Sequence, residues 1–298
     1  MNHFVLPSPI LEIKDKFTLH AGVQLYVKRD DLIHPVISGN KWRKLKYNID
    51  NCRKNGYDTI LSFGGSYSNH IHALAYAGKL FNLRTIGVIR GEEHKILNPT
   101  LKDVTEWGME LYFMDRKTYR IKDKDIVLDD LKKKFGNFYL IPEGGFNKEG
   151  FAGCTEIRDE IGISFDYICC AAGTGTTAAG LAASLHGREK LLVFPVLKGA
   201  EFIQANIHVW LKTGNQHKME HVHCLYDYHF GGYAKATQEL NDFIKAFYNT
   251  HNIPLEPVYT GKLFYGLYDL IKKNFFPKGS IIVALHTGGL QGQRGFLS

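Results

Sequence analysis

Residues 167–185 read Tyr-Ile-Cys-Cys-Ala-Ala-Gly-Thr-Gly-Thr-Thr-Ala-Ala-Gly-Leu-Ala-Ala-Ser-Leu. A short apolar run, a glycine turn and an alanine-rich stretch follow one another. They read as a buried strand at Tyr167–Ala171, a turn at Gly173–Thr177 and a helix at Thr176–Leu185. The same grammar recurs on both sides. Thr59–Phe63, Arg84–Ile89, Glu110–Phe113 and Phe138–Ile141 read as short buried strands, separated by helical patterns at Ser68–Phe81 and Asn98–Trp107. Leu191–Val196 and Ser280–Leu285 continue the strands, with helices near Gly199–Lys212, Thr237–Tyr248 and Lys262–Lys273. Alternation of this kind predicts an α/β fold with parallel sheets covered by helices on both faces. The charge-rich stretch Asp115–Lys134 reads as a solvated helix with its approach.

A chain of 298 residues exceeds one domain of roughly 100–200 residues, so two lobes are expected. The turn-rich Pro142–Asn147 marks one junction, and a second crossing falls near Gly39–Lys44. The expected division is a small α/β lobe over residues 45–142 and a large lobe built from 1–44 and 143–298.

The hydrophobic fraction of 44% and charged fraction of 22% are those of a globular protein with a sizeable core. The net charge of +7 is spread over short clusters. With no basic stripe interleaved with aromatics, nucleic acid is not an expected partner. Five cysteines in no metal-knuckle or disulfide spacing point to reduced thiols, no metal site and a cytoplasmic setting. Neither a signal peptide nor a membrane span is expected.

Three turns between strand and helix carry the candidate chemistry, because ligands of such sheets bind where helix N-termini meet the carboxyl ends of strands. Gly173, Thr174, Gly175, Thr176 and Thr177 offer close backbone approach, hydroxyls and free amides for a phosphate, although a plain tight turn accounts for them too. The turn lacks the lysine of a Walker A loop and the third glycine of a dinucleotide fingerprint. Gly64–His70 opens the next helix; capping explains Ser68 or Asn69, but Ser68, Asn69 and His70 together also suit a carboxylate. Gly39, Asn40 and Lys41 start a third helix, whose dipole would favour the neutral amine of Lys41. A phosphate cradle, a carboxylate cradle and an amine nucleophile together suit an amino acid joined to pyridoxal 5'-phosphate.

An ordered series of motifs now resembles a known family, the D-cysteine desulfhydrase and 1-aminocyclopropane-1-carboxylate deaminase group of fold type II (tryptophan-synthase-β-like) pyridoxal-phosphate enzymes. It comprises Val27–Leu32, Gly39–Leu45, Ser68-Asn69-His70, Pro142-x-Gly144-Gly145, Gly173–Thr177, Phe230–Tyr233, Pro257–Lys262 and His286–Gly289. The resemblance implies a cofactor between two lobes, a small amino-acid substrate and a homodimer. It implies that Lys41 holds the cofactor covalently, that Asn40 bonds its phenolic oxygen and that Gly173–Thr177 hold its phosphate. Ser68, Asn69 and His70 would face the substrate carboxylate. Tyr233 and Tyr259 would sit near the reacting atoms, and Thr260 near the pyridine nitrogen.

Thr260 and Thr287 stand where the ring-opening deaminases carry Glu and Leu, as in the desulfhydrase type. The resemblance therefore implies β-elimination from D-cysteine or a similar β-substituted amino acid, giving pyruvate and ammonia. The alternatives are 1-aminocyclopropane-1-carboxylate ring opening and a non-catalytic phosphate-ligand binding protein. Tyr67 stands where the family usually has Gln, and His72 where it often has Arg, which bears on the substrate more than on the cofactor.

Overall fold

Ile168, Cys170 and Ala172 point to one side of their strand, Cys169 and Ala171 to the other, and both sides are buried. A strand apolar on both faces belongs in the middle of a sheet covered by two layers of helix. The computed structural model, which describes residues 4–93, 96–212 and 216–296, places it there. The strands are β1 (Ile10–Ile13), β2 (Gln24–Lys28), β3 (Thr59–Gly64), β4 (Arg84–Arg90), β5 (Glu110–Met114), β6 (Tyr139–Ile141), β7 (Tyr167–Ala172), β8 (Lys190–Pro195), β9 (Val222–Cys224) and β10 (Ile281–Leu285).

They form two sheets. One has six strands in the order β1-β2-β10-β7-β8-β9, the other four in the order β5-β4-β3-β6. All pairings are parallel except β1 with β2, an antiparallel edge that the alternating pattern did not announce. Each sheet carries an apolar cluster on either face. Leu61, Phe63, Ile86 and Val88 face one layer of the smaller sheet, and Ile60, Ile89 and Ile141 the other.

Helix starts follow capping chemistry. Ser68 accepts from the Ile71 amide (3.2 Å) ahead of helix Asn69–Phe81, and Asn98 from Leu101 (2.9 Å) ahead of Pro99–Glu106. One expectation needs correction. The segment read as a solvated helix forms a helix at Asp125–Phe135, and this buries Val127, Leu131 and Phe135 against the smaller sheet. Those residues recur every four positions, an apolar stripe that the surrounding charges obscured. Strands β1, β2 and β9, of four, five and three residues, were not among the expected apolar runs. Among the described residues no helix is long and apolar enough to cross a membrane.

Candidate active site

The carboxyl ends of β3, β4, β6, β7, β8 and β10 converge on one cavity of about 450 Å³. It is lined by Gly65, Arg90, Glu143, Gly173, Leu197 and Thr287, which follow or end those strands, and by the helix starts at Asn40 and Asn69.

Gly39 lets the first of these helices approach. Its φ is +66°, and a Cβ there would lie 1.9 Å from the Thr287 carbonyl oxygen. Only glycine tolerates that contact, and the chain then turns into helix Asn40–Lys54 with Lys41 at its mouth. The Lys41 amine donates to Asn40 Oδ1 (2.5 Å), while Asn40 Nδ2 donates to Thr177 Oγ1 (2.9 Å). Burial pushes the Lys41 pKa down to about 7; the like charge of Lys44 adds to this, and the buried Glu256 opposes it. Much of the amine is therefore neutral near pH 7.

The glycine turn forms the floor. Gly175 has φ +90°, and the Ala179 amide is the first of helix Thr176–Ser184 to reach a carbonyl one turn back, that of Gly175 (2.8 Å). The amides ahead of it are the unpaired donors of a helix N-terminus. Thr174 and Thr176 hydroxyls lie 3.1 Å apart, and Asn206 pins the turn by donating to the Thr174 carbonyl (3.0 Å). Thr174 and Thr177 line the cavity, whereas Thr176 is fully buried beside it. A phosphorylated cofactor fits these residues: orphan amides and hydroxyls at one end, a largely neutral lysine amine at the other.

Ser68, Asn69 and His70 form a third wall. Gln291 donates to Asn69 Oδ1 and fixes that side chain. His70 offers the reverse of what a carboxylate needs. Ser62 donates its hydrogen to the Ile141 carbonyl (2.7 Å), so it accepts from His70 Nε2 (3.0 Å). Nδ1 is left as a buried acceptor with no partner among the described residues. Burial, with Lys44 and Lys41 nearby, depresses the ring's pKa to about 3, so it stays neutral. Any contact of residue 70 with a carboxylate falls to its backbone amide.

Tyr259 packs over the turn; a Cβ on Gly173 would lie 3.2 Å from its ring. Tyr233 stands 6.1 Å away, ring centroid to centroid, and is 43% exposed at the cavity mouth. Lys262 holds that loop. Its buried amine donates to the carbonyls of Gly232 (2.7 Å), His229 (2.8 Å) and Val196 (3.3 Å). The structure does not bring Thr260 to the cavity. Thr260 is fully buried, its hydroxyl accepting from the Glu256 amide (2.9 Å) and facing Glu256 Oε1 (3.2 Å).

Glu256 was missed by the sequence reading. Its carboxylate accepts the amides of Val258, Tyr259 and Thr260, and burial raises its pKa. A carboxylate inside the apolar run Leu255–Tyr259 was its available signal. Lys44, in the Gly39–Leu45 motif, also lines the cavity, and its amine donates to the Gly144 carbonyl (3.0 Å).

Known proteins are similar to this chain along most of its length. A mitochondrial protein of Arabidopsis thaliana named bifunctional D-cysteine desulfhydrase/1-aminocyclopropane-1-carboxylate deaminase is 30% identical over 300 residues, covering 91% of this chain and 73% of its own. A 1-aminocyclopropane-1-carboxylate deaminase of Allorhizobium ampelinum is 29% identical, covering 97% of this chain and 94% of its own. A crystal structure described as an ACC deaminase homologue matches with a TM-score of 0.84 at 32% identity, covering 98% of this chain and 92% of that one. The family model for pyridoxal-phosphate dependent enzymes matches residues 2–288, so the chain whose strand ends gather a lysine and a glycine turn in one cavity belongs to that family.

Proposed function

We propose that this enzyme carries out β-elimination on a small β-substituted amino acid, D-cysteine or a close analogue, releasing pyruvate and ammonia. The observation that carries the reading is the placement of Lys41. Burial pushes its amine's pKa down to about 7, and it lines the same cavity as the glycine turn at Gly173–Gly175 and the Ser68–Asn69 wall. Bound pyridoxal phosphate supplies the electron sink for bonds at the substrate Cα. Lys41 Nζ holds the cofactor and, once released, takes the Cα proton. Asn40, fixed by Thr177, orients that amine. Ser68 Oγ, Asn69 Nδ2 and the helix amides receive the α-carboxylate, and the Cβ substituent leaves with the bonding pair toward Tyr233 and Tyr259.

Thr287 supports elimination over opening of the cyclopropane acid. It is a polar side chain at the cavity wall where the deaminase pattern has a bulky apolar one. Borohydride reduction of the holoenzyme, followed by peptide mapping, should label Lys41. Purified enzyme should release pyruvate from D-cysteine faster than 2-oxobutyrate from 1-aminocyclopropane-1-carboxylate. A label on another lysine, or the reverse order of rates, overturns the assignment.

The lobe division at 45–142 is proposed on the same footing, supported by a four-stranded sheet that draws every strand from that stretch. A cytoplasmic homodimer completes the proposal. Five free cysteines suit a reducing compartment, and light scattering reads the dimer.

A further inference from the structure

Three openings meet at Arg90. It lines the main cavity, a wider basin of about 790 Å³ at the mouth, and a recess of about 400 Å³ beyond Glu143. Arg90 ends β4, so its side chain stands at the carboxyl edge of the four-stranded sheet, beside the loop that opens helix Asn69–Phe81. Its Nη2 would lie 3.8 Å from a Cβ on Gly65. Arg116, just after β5, lines both the basin and the recess; Arg120 and Lys122 line the recess.

The three arginines among these charges have no carboxylate partner among the described residues, whereas Lys122 does. Arg29, Arg43, Arg158 and Arg294 each pair with a carboxylate. Among the described residues no carboxylate pairs with Arg90, Arg116 or Arg120. Glu143, the acid of the recess, is taken by Lys122 (3.2 Å). Tyr119, its hydroxyl buried beside Glu143, lines the same recess.

The α-carboxylate already has its own cradle at Ser68 and Asn69. A second cation on the same cavity, Arg90, with Arg116 on the basin that adjoins it there, calls for a second anion. We infer that Arg90 and Arg116 receive an oxyanion carried on the substrate's Cβ, so that the preferred substrates are amino acids with a sulfate or phosphate ester there. The inference rests on the β-elimination reading above. For such a substrate the Cα proton goes to Lys41, and the Cβ–O bond breaks with its electron pair on the departing oxyanion. Water then supplies the oxygen that replaces nitrogen, giving pyruvate, ammonium and sulfate or phosphate, with no redox change. Charge on the leaving oxygen grows as that bond breaks, and guanidinium groups with their planar pair of donors match it.

The test measures pyruvate release by the holoenzyme from both hands of serine O-sulfate and O-phosphoserine, with β-chloroalanine as an uncharged comparison. Wild-type enzyme should favour the oxyanion esters. Arg90→Gln should lower the ratio of kcat/KM, ester to β-chloroalanine, by about tenfold or more, with Arg90→Lys in between. Inorganic sulfate, at constant ionic strength against chloride, should compete with serine O-sulfate in the wild type and less in Arg90→Gln. An unchanged ratio places Arg90 on the α-carboxylate shared by all substrates and overturns the inference. Turnover of β-chloroalanine without turnover of either ester overturns it while leaving the lyase reading standing. No turnover of any of them, nor of D-cysteine run beside them, overturns both.

Discussion

At the scale of single residues, Lys41 makes the most direct prediction. Attachment of the cofactor to the apoprotein requires the neutral amine, so its rate should rise with pH and level off above about 7. Burial sets most of that shift, and the Lys44 charge adds to it. Lys44→Met should therefore move the midpoint to higher pH, which stopped-flow absorbance can follow. A midpoint that stays put removes Lys44 from the account. Thr260 makes a prediction of a different kind. From the sequence alone, Thr260→Glu with Thr287→Leu looks like a route toward cyclopropane ring opening. The structure puts Glu256 Oε1 3.2 Å from the Thr260 hydroxyl, in a fully buried place. A second carboxylate there meets the first, so Thr260→Glu alone should destabilise the fold by about 3 kcal/mol or more. Thr260→Glu with Glu256→Gln should recover part of that loss in thermal melts. That the lysine, the glycine turn and the Ser68–His70 turn meet at one cavity was legible because each sits at a strand-to-helix turn with polar residues in a row. Arg90 was not, since a lone charge at the end of an apolar run looks like any surface charge until the fold shows where the strand ends, and the role of Glu256 was not, since only the folded backbone turns three amides onto its carboxylate.

At the scale of elements, every strand placed between Thr59 and Leu285 by its apolar run is present, with ends displaced by a residue or so. Those runs were readable because both faces are buried. Helix Phe202–Leu211 starts later than its expected start at Gly199, and helix Thr260–Lys272 starts earlier than Lys262. In the second case the signal was a backbone cap from the Glu256 side chain, a contact four residues back that periodicity does not encode. Two substitutions test what these elements do. Gly175→Val forces a branched side chain into φ +90° at the head of the phosphate turn, and should block cofactor binding. Thr174→Ala should cost only about 1–3 kcal/mol of cofactor affinity if its hydroxyl meets a charged oxygen. Equal affinity in the valine variant, read by fluorescence titration, would remove the turn from the cofactor site. Lys262→Met should strip three carbonyls of their donor and loosen residues 229–233. The expected sign is new proteolytic cleavage near Gly231, with KM rising before kcat falls as Tyr233 loses its place.

At the scale of the whole molecule, Lys41 is held by charges that lie beneath it. Arg43, fully buried on the same helix, pairs with Asp30 (3.0 Å) after β2 and with Glu160 after helix Lys148–Asp159. Lys28 on β2 donates to Glu160 (3.0 Å) and to the Ser8 carbonyl (2.7 Å). The Lys28-Arg29-Asp30-Asp31 motif thus ties the Lys41 helix to the larger sheet. A pair so buried gives little net stability when intact, yet losing one partner is costly. Arg43→Met should destabilise the protein by about 3–5 kcal/mol, far more than an exposed arginine would. Acid should act on the same joint. Burial opposes ionisation of Glu160, but Arg43 and Lys28 override it and hold its pKa at about 2, below the ordinary 4.5. His70, held neutral by burial, lies at about 3, below the ordinary 6.5. In both cases the folded chain binds fewer protons than the unfolded one between the two values. Their contribution to stability is therefore complete above the unfolded pKa and shrinks as pH falls toward the folded one. The urea midpoint should begin to fall below about pH 6.5 through His70 and the other histidines that burial holds below their ordinary pKa, His34, His72, His223, His251 and His286, and fall more steeply below about 4.5 as Glu160 joins. Glu160→Gln should lower stability at pH 7 and flatten only the steeper, more acidic part of the curve. If that variant instead keeps the full acid slope below pH 4.5, the ion pair under Lys41 is not what acid breaks.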